Sequence, residues 1–225
     1  MRSEKWQTDL QRDNDFMDFF FTPYFLELCH KGQYEVVHDI ERQKQGIDVI
    51  IDDRKIDNKF SVSFATNNRH FPTFMYEVHQ GYREGWLLQD NKTDEYWLIT
   101  ASEWCGPVDG NGNAIVTDDD TGIRFTSKIN EIFVMVEEKK AVQQYMRSFF
   151  RTEYDEDWQT ILNLLGKHVF DTGKTIFFNH GVKLVKCYST KEQAAVLVVP
   201  FREHLKIQKQ MFYINRRKGV YDAKF

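Results

Sequence analysis

Residues 46–60 of this 225-residue chain, GIDVIIDDRKIDNKF, constrain its fold more tightly than any other stretch. Two runs rich in Ile, Val and Phe, 46–52 and 55–62, flank Asp53-Arg54, a pattern that reads as two strands joined by a tight turn. With Asp53-Arg54 as a two-residue loop, paired positions sum to 107, so Asp48 faces Lys59 and Ile50 faces Asp57. Side chains alternate with period two along each strand. Asp48, Lys55, Asp57 and Lys59 then share one face, while Ile47, Val49, Ile51, Ile56 and Phe60 occupy the other. A four-residue loop preserves this division, whereas a three-residue loop splits the charged set across both faces.

One reading of the charged face is a solvated surface on which Asp and Lys form ordinary ion pairs. Against it, Asp48 lies inside the apolar run 47–51, where a lone carboxylate is costly unless a cation or a metal compensates it. Hard divalent ions such as Mg²⁺ take one or two carboxylates and retain several waters. Asp48, Asp57 and Lys59 therefore suit a metal-dependent hydrolytic centre.

The pattern Gly46-Ile47-Asp48 followed by Asp57-x-Lys59 resembles the PD-(D/E)XK nuclease superfamily, the restriction-endonuclease-like fold, without its proline. The likeness extends to small bacterial and phage members through Gln43, Ile56-Asp57-Asn58-Lys59, Phe74 with Glu77, Gly85-Trp86 and Thr93-Asp94-Glu95-Tyr96, in that order. It covers about residues 35–100 and fades afterwards. The D-x-K triplet alone is common by chance; the ordered set is more specific.

The resemblance implies an α/β fold with a central mixed β-sheet flanked by helices. It also implies Mg²⁺, with Mn²⁺ as a substitute, held by Asp48, Asp57 and the backbone carbonyl of Asn58. Lys59 would orient or help to deprotonate the attacking water and steady the charge growing on the phosphate. The expected product is a cleaved phosphodiester, with DNA as the substrate and a homodimer as an expected assembly. Strand alternation places Glu77 with Met75 and His79, from where its carboxylate could reach the site on a neighbouring strand. Glu41 and Glu27, in helical stretches upstream, are further candidates because related proteins often contribute a glutamate from the first helix; each also reads as a solvated helix residue. Gln43 reads as a residue that orients the chain ahead of the strand. The alternative is a catalytically silent member that binds nucleic acid or a protein partner in a phage or mobile-element assembly.

Composition narrows the remaining classes. Hydrophobic content of 41% with 19 Phe can fill a core, which excludes a disordered chain. The first fifteen residues contain no apolar signal segment and no apolar run approaches a membrane span, so a cytoplasmic protein without a membrane partner is expected. Cys29, Cys105 and Cys187 show no metal or disulfide spacing and read as small buried hydrophobes. The histidines, His70 and His79 nearest the hairpin among them, show no ligand spacing. Net charge is −4, yet residues 201–225 carry +5 through residues such as Arg202, Lys206, Arg216 and Arg217. That basic end reads either as a contact for a nucleic-acid backbone or as a solvated tail.

Along the chain, an aromatic-rich helix is expected over 13–31, interrupted near Pro23, and a strand or short helix over 34–44. Strands are expected near 46–52, 55–64, 73–79, 94–100 and 132–137, with helices near 139–150 and 156–168. The segment 101–122 is loop-rich; Asp109, Asn111, Asn113 and Asp120 mimic a calcium loop, but Ala114 stands at the glycine position and a hairpin loop is the better reading. Trp86, Trp97 and Trp104 read as core aromatics before base-stacking ones. A hairpin turning at Asn179–Gly181 and a buried strand AAVLVVP follow. No repeat or linker is visible, so one domain spanning 1–225 is expected, with a C-terminal extension from about 125.

Overall fold

A computed structural model describes residues 11–27, 32–61, 73–89, 94–110, 114–117, 119–150, 158–187, 193–217 and 219–222. In chain order its elements are helix α1 (Met17–Leu26), β1 (Tyr34–Val36), α2 (Ile40–Lys44), β2 (Val49–Ile51), β3 (Arg54–Ser61), β4 (Thr73–Gln80), β5 (Arg83–Glu84) and β6 (Tyr96–Trp104). There follow α3 (Gly122–Thr126), β7 (Ile129–Glu138), α4 (Lys139–Arg147), α5 (Trp158–Thr172), β8 (Ile176–Phe177), β9 (Lys183–Cys187), β10 (Ala194–Pro200), α6 (Phe201–His204), β11 (Gln208–Asn215) and β12 (Gly219–Asp222). The protein is thus a mixed α and β chain, as expected.

Chain contacts gather it into two compact units that interleave along the sequence. The first comprises residues 1–69, 93–138 and 209–225, and the second 70–92 and 139–208.

The first unit is built on a seven-stranded sheet in the order β1-β2-β3-β6-β7-β11-β12. β3 runs antiparallel to β2 and parallel to β6, so the sheet is mixed. One face is covered by α1, whose Phe20, Phe21 and Phe25, with Phe16 just before them, cluster with Val49, Ile51, Ile56, Ile132, Val134 and Ile214. α1 is π-helical rather than α-helical, and Pro23 lies inside it. Proline lacks the amide needed by the ordinary ladder, and the wider turn absorbs the loss. At its end the Glu27 N–H donates to Thr22 O, five residues back.

Much of the basic C-terminal segment is built into this sheet. β11 and β12 form a hairpin at the edge of this sheet, with Met211 and Ile214 buried. Arg216 lies over the rings of Phe20 and Tyr24 and donates to Thr126 O at 2.5 Å. Its guanidinium is used to close the core, which a reading from charge alone assigns to solvent or phosphate. Lys218 and Lys224 lie outside the described residues.

The segment after β6 forms a hairpin loop, with Val108 bridging Ala114 and the Ile115 N–H donating to Pro107 O. Asn111 and Asn113 lie outside the described residues, but Asp120 is buried and engaged. Its carboxylate accepts from Thr117 N and Oγ1 and pairs with Lys128. Trp104 is buried as expected and donates from Nε1 to Pro107 O. Cys105 is exposed and Cys187 only partly buried, against the expectation of core cysteines, because each stands at or beyond the end of its strand; Cys29 lies outside the described residues.

The second unit holds a five-stranded antiparallel sheet in the order β5-β4-β10-β9-β8, against which α5 packs. β10 is buried along residues 194–199, as its unbroken apolar run requires. His79 is buried on β4, its ring nitrogens 2.9 Å from Asn163 Oδ1 and from Gly81 O. His70 lies outside the described residues.

The Gly85-Trp86 pair acquires a structural reason here. The Gly85 N–H donates to Val78 O and the Leu87 N–H to Glu77 O, folding the chain back against β4. A Cβ at Gly85 would lie 2.3 Å from the backbone carbon and oxygen of Glu77. Trp86 stacks obliquely on Tyr76. Gly85→Ala is therefore expected to cost about 3 kcal/mol, the upper part of the range for overpacking. Urea denaturation checks this, and a midpoint equal to the parent's contradicts it.

Candidate functional site

The approach to the hairpin is set by α2. Asp39 caps its N-terminus by accepting from the Arg42 N–H at 2.8 Å. Gly46, at φ 79°, ends it in a left-handed turn, with Gly46 N–H to Gln43 O and Ile47 N–H to Arg42 O. This paired termination suits a glycine, since a Cβ disfavours that conformation. It delivers Ile47 into the core and turns the chain so that Asp48 immediately precedes β2. Gln43 braces the same corner, its Nε2 donating to Val37 O at 2.8 Å and Asn14 Oδ1 at 3.0 Å. The Val37 N–H in turn donates to Asp48 O.

The hairpin register differs from the one expected. Val49 pairs with Ile56, Ile50 with Lys55 and Ile51 with Arg54, so the sum is 105 rather than 107 and the loop is Asp52-Asp53. Both loop residues take positive φ, 49° and 65°. A two-residue hairpin of this hand needs two left-handed residues, and aspartate tolerates that conformation far better than arginine does. The loop moves by one residue while its length stays at two, so the parity argument survives although Asp48 is not paired with Lys59. Ile47, Val49, Ile51 and Ile56 of the expected apolar face are all buried, and the side chain of Phe60 lies outside the described residues.

On the charged side the structure brings Asp48, Asp57 and Lys59 together. Asp57 is only 4% exposed and its Oδ2 lies 2.5 Å from Lys59 Nζ. The ammonium charge compensates that buried oxygen. Asp48 Oδ2 accepts from the Asn58 N–H at 2.7 Å. The contribution of Asn58 seen here is thus its amide, while its side chain donates to Met17 Sδ. Burial first, and then the neighbouring Asp57 carboxylate, lift Asp48 well above the ordinary range of an aspartic acid. Lys59 and the Asn58 amide act in the opposite direction and do not prevail. Burial works to lower Lys59, but Asp57, Asp48 and Asp94 outweigh it and hold the ammonium above the usual lysine range.

Asp94 is the residue that sequence reasoning missed as a site member. It is buried, and its charge acts on Lys59. The Glu95 N–H donates to Lys55 O, and β6 then runs parallel to β3 with Tyr96 beside Ile56. The Thr93-Asp94-Glu95-Tyr96 motif carried the signal; the parallel pairing that gives it meaning is long-range.

The other candidates stand on other elements. Glu77 lies on β4 of the five-stranded sheet, whereas the strands flanking β3 are β2 and β6, so β4 is not the neighbouring strand that alternation alone suggested. Glu41 is exposed and paired with Lys44, and Glu27 is exposed at the end of α1. Among the described residues no three His, Cys, Asp or Glu side chains converge as an ion site. The arrangement supplies two adjacent carboxyl groups, hard oxygen donors of the kind that Mg²⁺ takes in pairs. Their mutual repulsion, which adds to burial in lifting Asp48, is what a divalent cation relieves, so the donor set fits such an ion.

Comparison with known proteins adds no relative: no protein-family model, curated protein or solved structure matches this chain. Among the described residues no helix is long and apolar enough to cross a membrane.

Proposed function

We propose that this protein is a metal-dependent nuclease of the PD-(D/E)XK type, with a restriction-endonuclease-like fold in its first unit and DNA as substrate. The observation that carries the reading is the convergence of Asp48, Asp57 and Lys59 on one side of the β2–β3 hairpin. Asp48 and Asp57 would hold Mg²⁺, or Mn²⁺ in its place. The chemistry supplied by the bound ion is polarisation of a phosphoryl oxygen and a lowered pKa for water.

Lys59 presents a fixed positive charge to the oxygen on which negative charge develops. Its ammonium is anchored by Asp57, so it does not have to be reorganised as the reaction proceeds. The Asn58 amide and the Gly46 turn fix the Asp48 carboxyl and the course of its backbone. Asp94 adds a further negative charge that keeps Lys59 protonated.

The alternative, a catalytically silent member acting as a nucleic-acid or protein-binding subunit, draws on one observation. Lys59 is ion-paired to Asp57, so the ammonium takes a carboxylate oxygen that a metal would otherwise use.

Incubation with linear, nicked, branched and single-stranded DNA, and with RNA, in Mg²⁺, Mn²⁺ or EDTA separates the two readings. Cleavage of DNA that needs the divalent ion is the expected outcome. Retarded migration of these substrates with no cleavage under any condition would establish the binding role instead.

A further inference from the structure

The second unit contains a cavity of about 310 Å³ lined by Tyr145, Phe149, His180, Glu203 and Lys206 among others. It is remote from the hairpin in sequence and plays no part in the nuclease reading. Its centre is a charge network. Glu203 is 2% exposed, yet its Oε2 accepts from the Tyr145 hydroxyl at 2.5 Å and from Lys206 Nζ at 2.6 Å. Its Oε1 lies 3.6 Å from Arg202 Nε.

Burial of a carboxylate with its partners is a weak source of stability, because desolvation offsets most of the attraction. Here it orients the Tyr145 hydroxyl and the Lys206 ammonium on the lining of an open space. Two cations surround one carboxylate, and the side chains of both Lys206 and Arg202 reach solvent. The local balance is positive. Burial raises the Tyr145 hydroxyl, and the Glu203 beside it raises it further, so the phenol stays a proton donor across the neutral range. Burial acts to raise Glu203, but Lys206, Tyr145 and His180 outweigh it and keep the carboxylate ionised.

The turn at 179–181 is the second independent observation. His180 adopts φ 61° and ψ 17°, a left-handed conformation unusual for a residue other than glycine. Gly181 follows it, and Arg202 holds the turn by donating to His180 O at 3.2 Å. Strained backbone persists where its surroundings over-determine it and is concentrated at binding sites. The result is an imidazole at the cavity wall, its centroid 6.4 Å from the Phe149 ring, which itself meets Tyr145 edge to face.

We infer that this cavity binds a small phosphate-bearing molecule with a flat ring, of the size and chemistry of a nucleoside monophosphate. Lys206 and His180 receive the phosphate, the Tyr145 hydroxyl, its proton held by Glu203, accepts from a sugar hydroxyl, and Phe149 provides the flat wall for the base. The volume lies at the lower end of the range for small-molecule sites, which fits a mononucleotide rather than a larger cofactor.

Titration calorimetry of the full chain with adenosine 5′-monophosphate, adenosine and inorganic phosphate tests this. The monophosphate is expected to bind at least about tenfold more tightly than either fragment, a margin of about 1.4 kcal/mol. Lys206→Met and His180→Gly are each expected to weaken it at least about tenfold, that is, by the same margin. His180→Gly relaxes the left-handed turn and so separates loss of binding from loss of folding, should Lys206→Met disturb Glu203. Adenosine binding as tightly as the monophosphate, phosphate binding as tightly, absence of binding by the parent, or parent-like binding by His180→Gly overturns the inference.

Discussion

Replacing Lys59 by methionine is expected to lower the rate of DNA cleavage by about two to three orders of magnitude, the scale on which removing one preorganised stabiliser of developing charge acts. The expectation follows from position and charge together. The Lys59 ammonium is anchored at 2.5 Å from Asp57, and its side chain is 24% exposed. It is thus reachable by a phosphate yet screened from much of the solvent that would weaken its field. Three carboxyl groups, those of Asp57, Asp48 and Asp94, hold it charged. Methionine keeps the length of the side chain and removes only the charge and its donors. Lys174→Met, at an exposed position beyond α5, serves as the comparison and should cleave as the parent does. The measurement is the initial rate on labelled linear DNA in Mg²⁺. A parental rate in Lys59→Met ends the catalytic assignment of this lysine.

Stability provides the second large effect. Asp57→Asn leaves Lys59 without its nearest counter-charge, and removal of one partner of a buried pair costs about 3–5 kcal/mol. The partial exposure of Lys59 places the expected loss near the lower end, about 3 kcal/mol. The double variant Asp57→Asn, Lys59→Met removes both charges at once and should be more stable than the sum of the two single losses predicts. Denaturant unfolding of the parent, both single variants and the double variant yields the coupling directly. Additive losses would mean that the two groups do not compensate each other. The double variant also serves the first experiment, because a folded protein without cleavage assigns the lost activity to chemistry rather than to unfolding.

Much of the site was legible in the sequence because its determinants are local. Alternation of Ile and Val with Asp and Lys is a property of adjacent residues, and the buried Ile47, Val49, Ile51 and Ile56 follow it. Gly46 was read as the start of the strand, and the structure uses it instead to end α2 in a left-handed turn, so that β2 begins at Val49. The register was misjudged because it depends on which residues tolerate positive φ. Asp52-Asp53 satisfies that need and Asp53-Arg54 does not. Glu77 was read as a neighbour because strands near in sequence are usually near in space, a tendency that β6 breaks by taking the place beside β3. The basic end read as a tail because charge counts are blind to Arg216, whose guanidinium lies against the rings of Phe20 and Tyr24.

By itself the sequence determined a hairpin with one apolar and one charged face and named Asp48, Asp57 and Lys59 on the charged one. Each of these depends on side-chain period or backbone preference over fewer than about ten residues, where short-range sterics decide. Only the tertiary structure decided that Asp94 joins the site, that β11 and β12 complete the first sheet, and that Tyr145, His180, Glu203 and Lys206 surround one cavity. These depend on pairing between segments far apart in the chain. Such pairing is selected by how well whole faces bury against one another, and no local pattern records that competition.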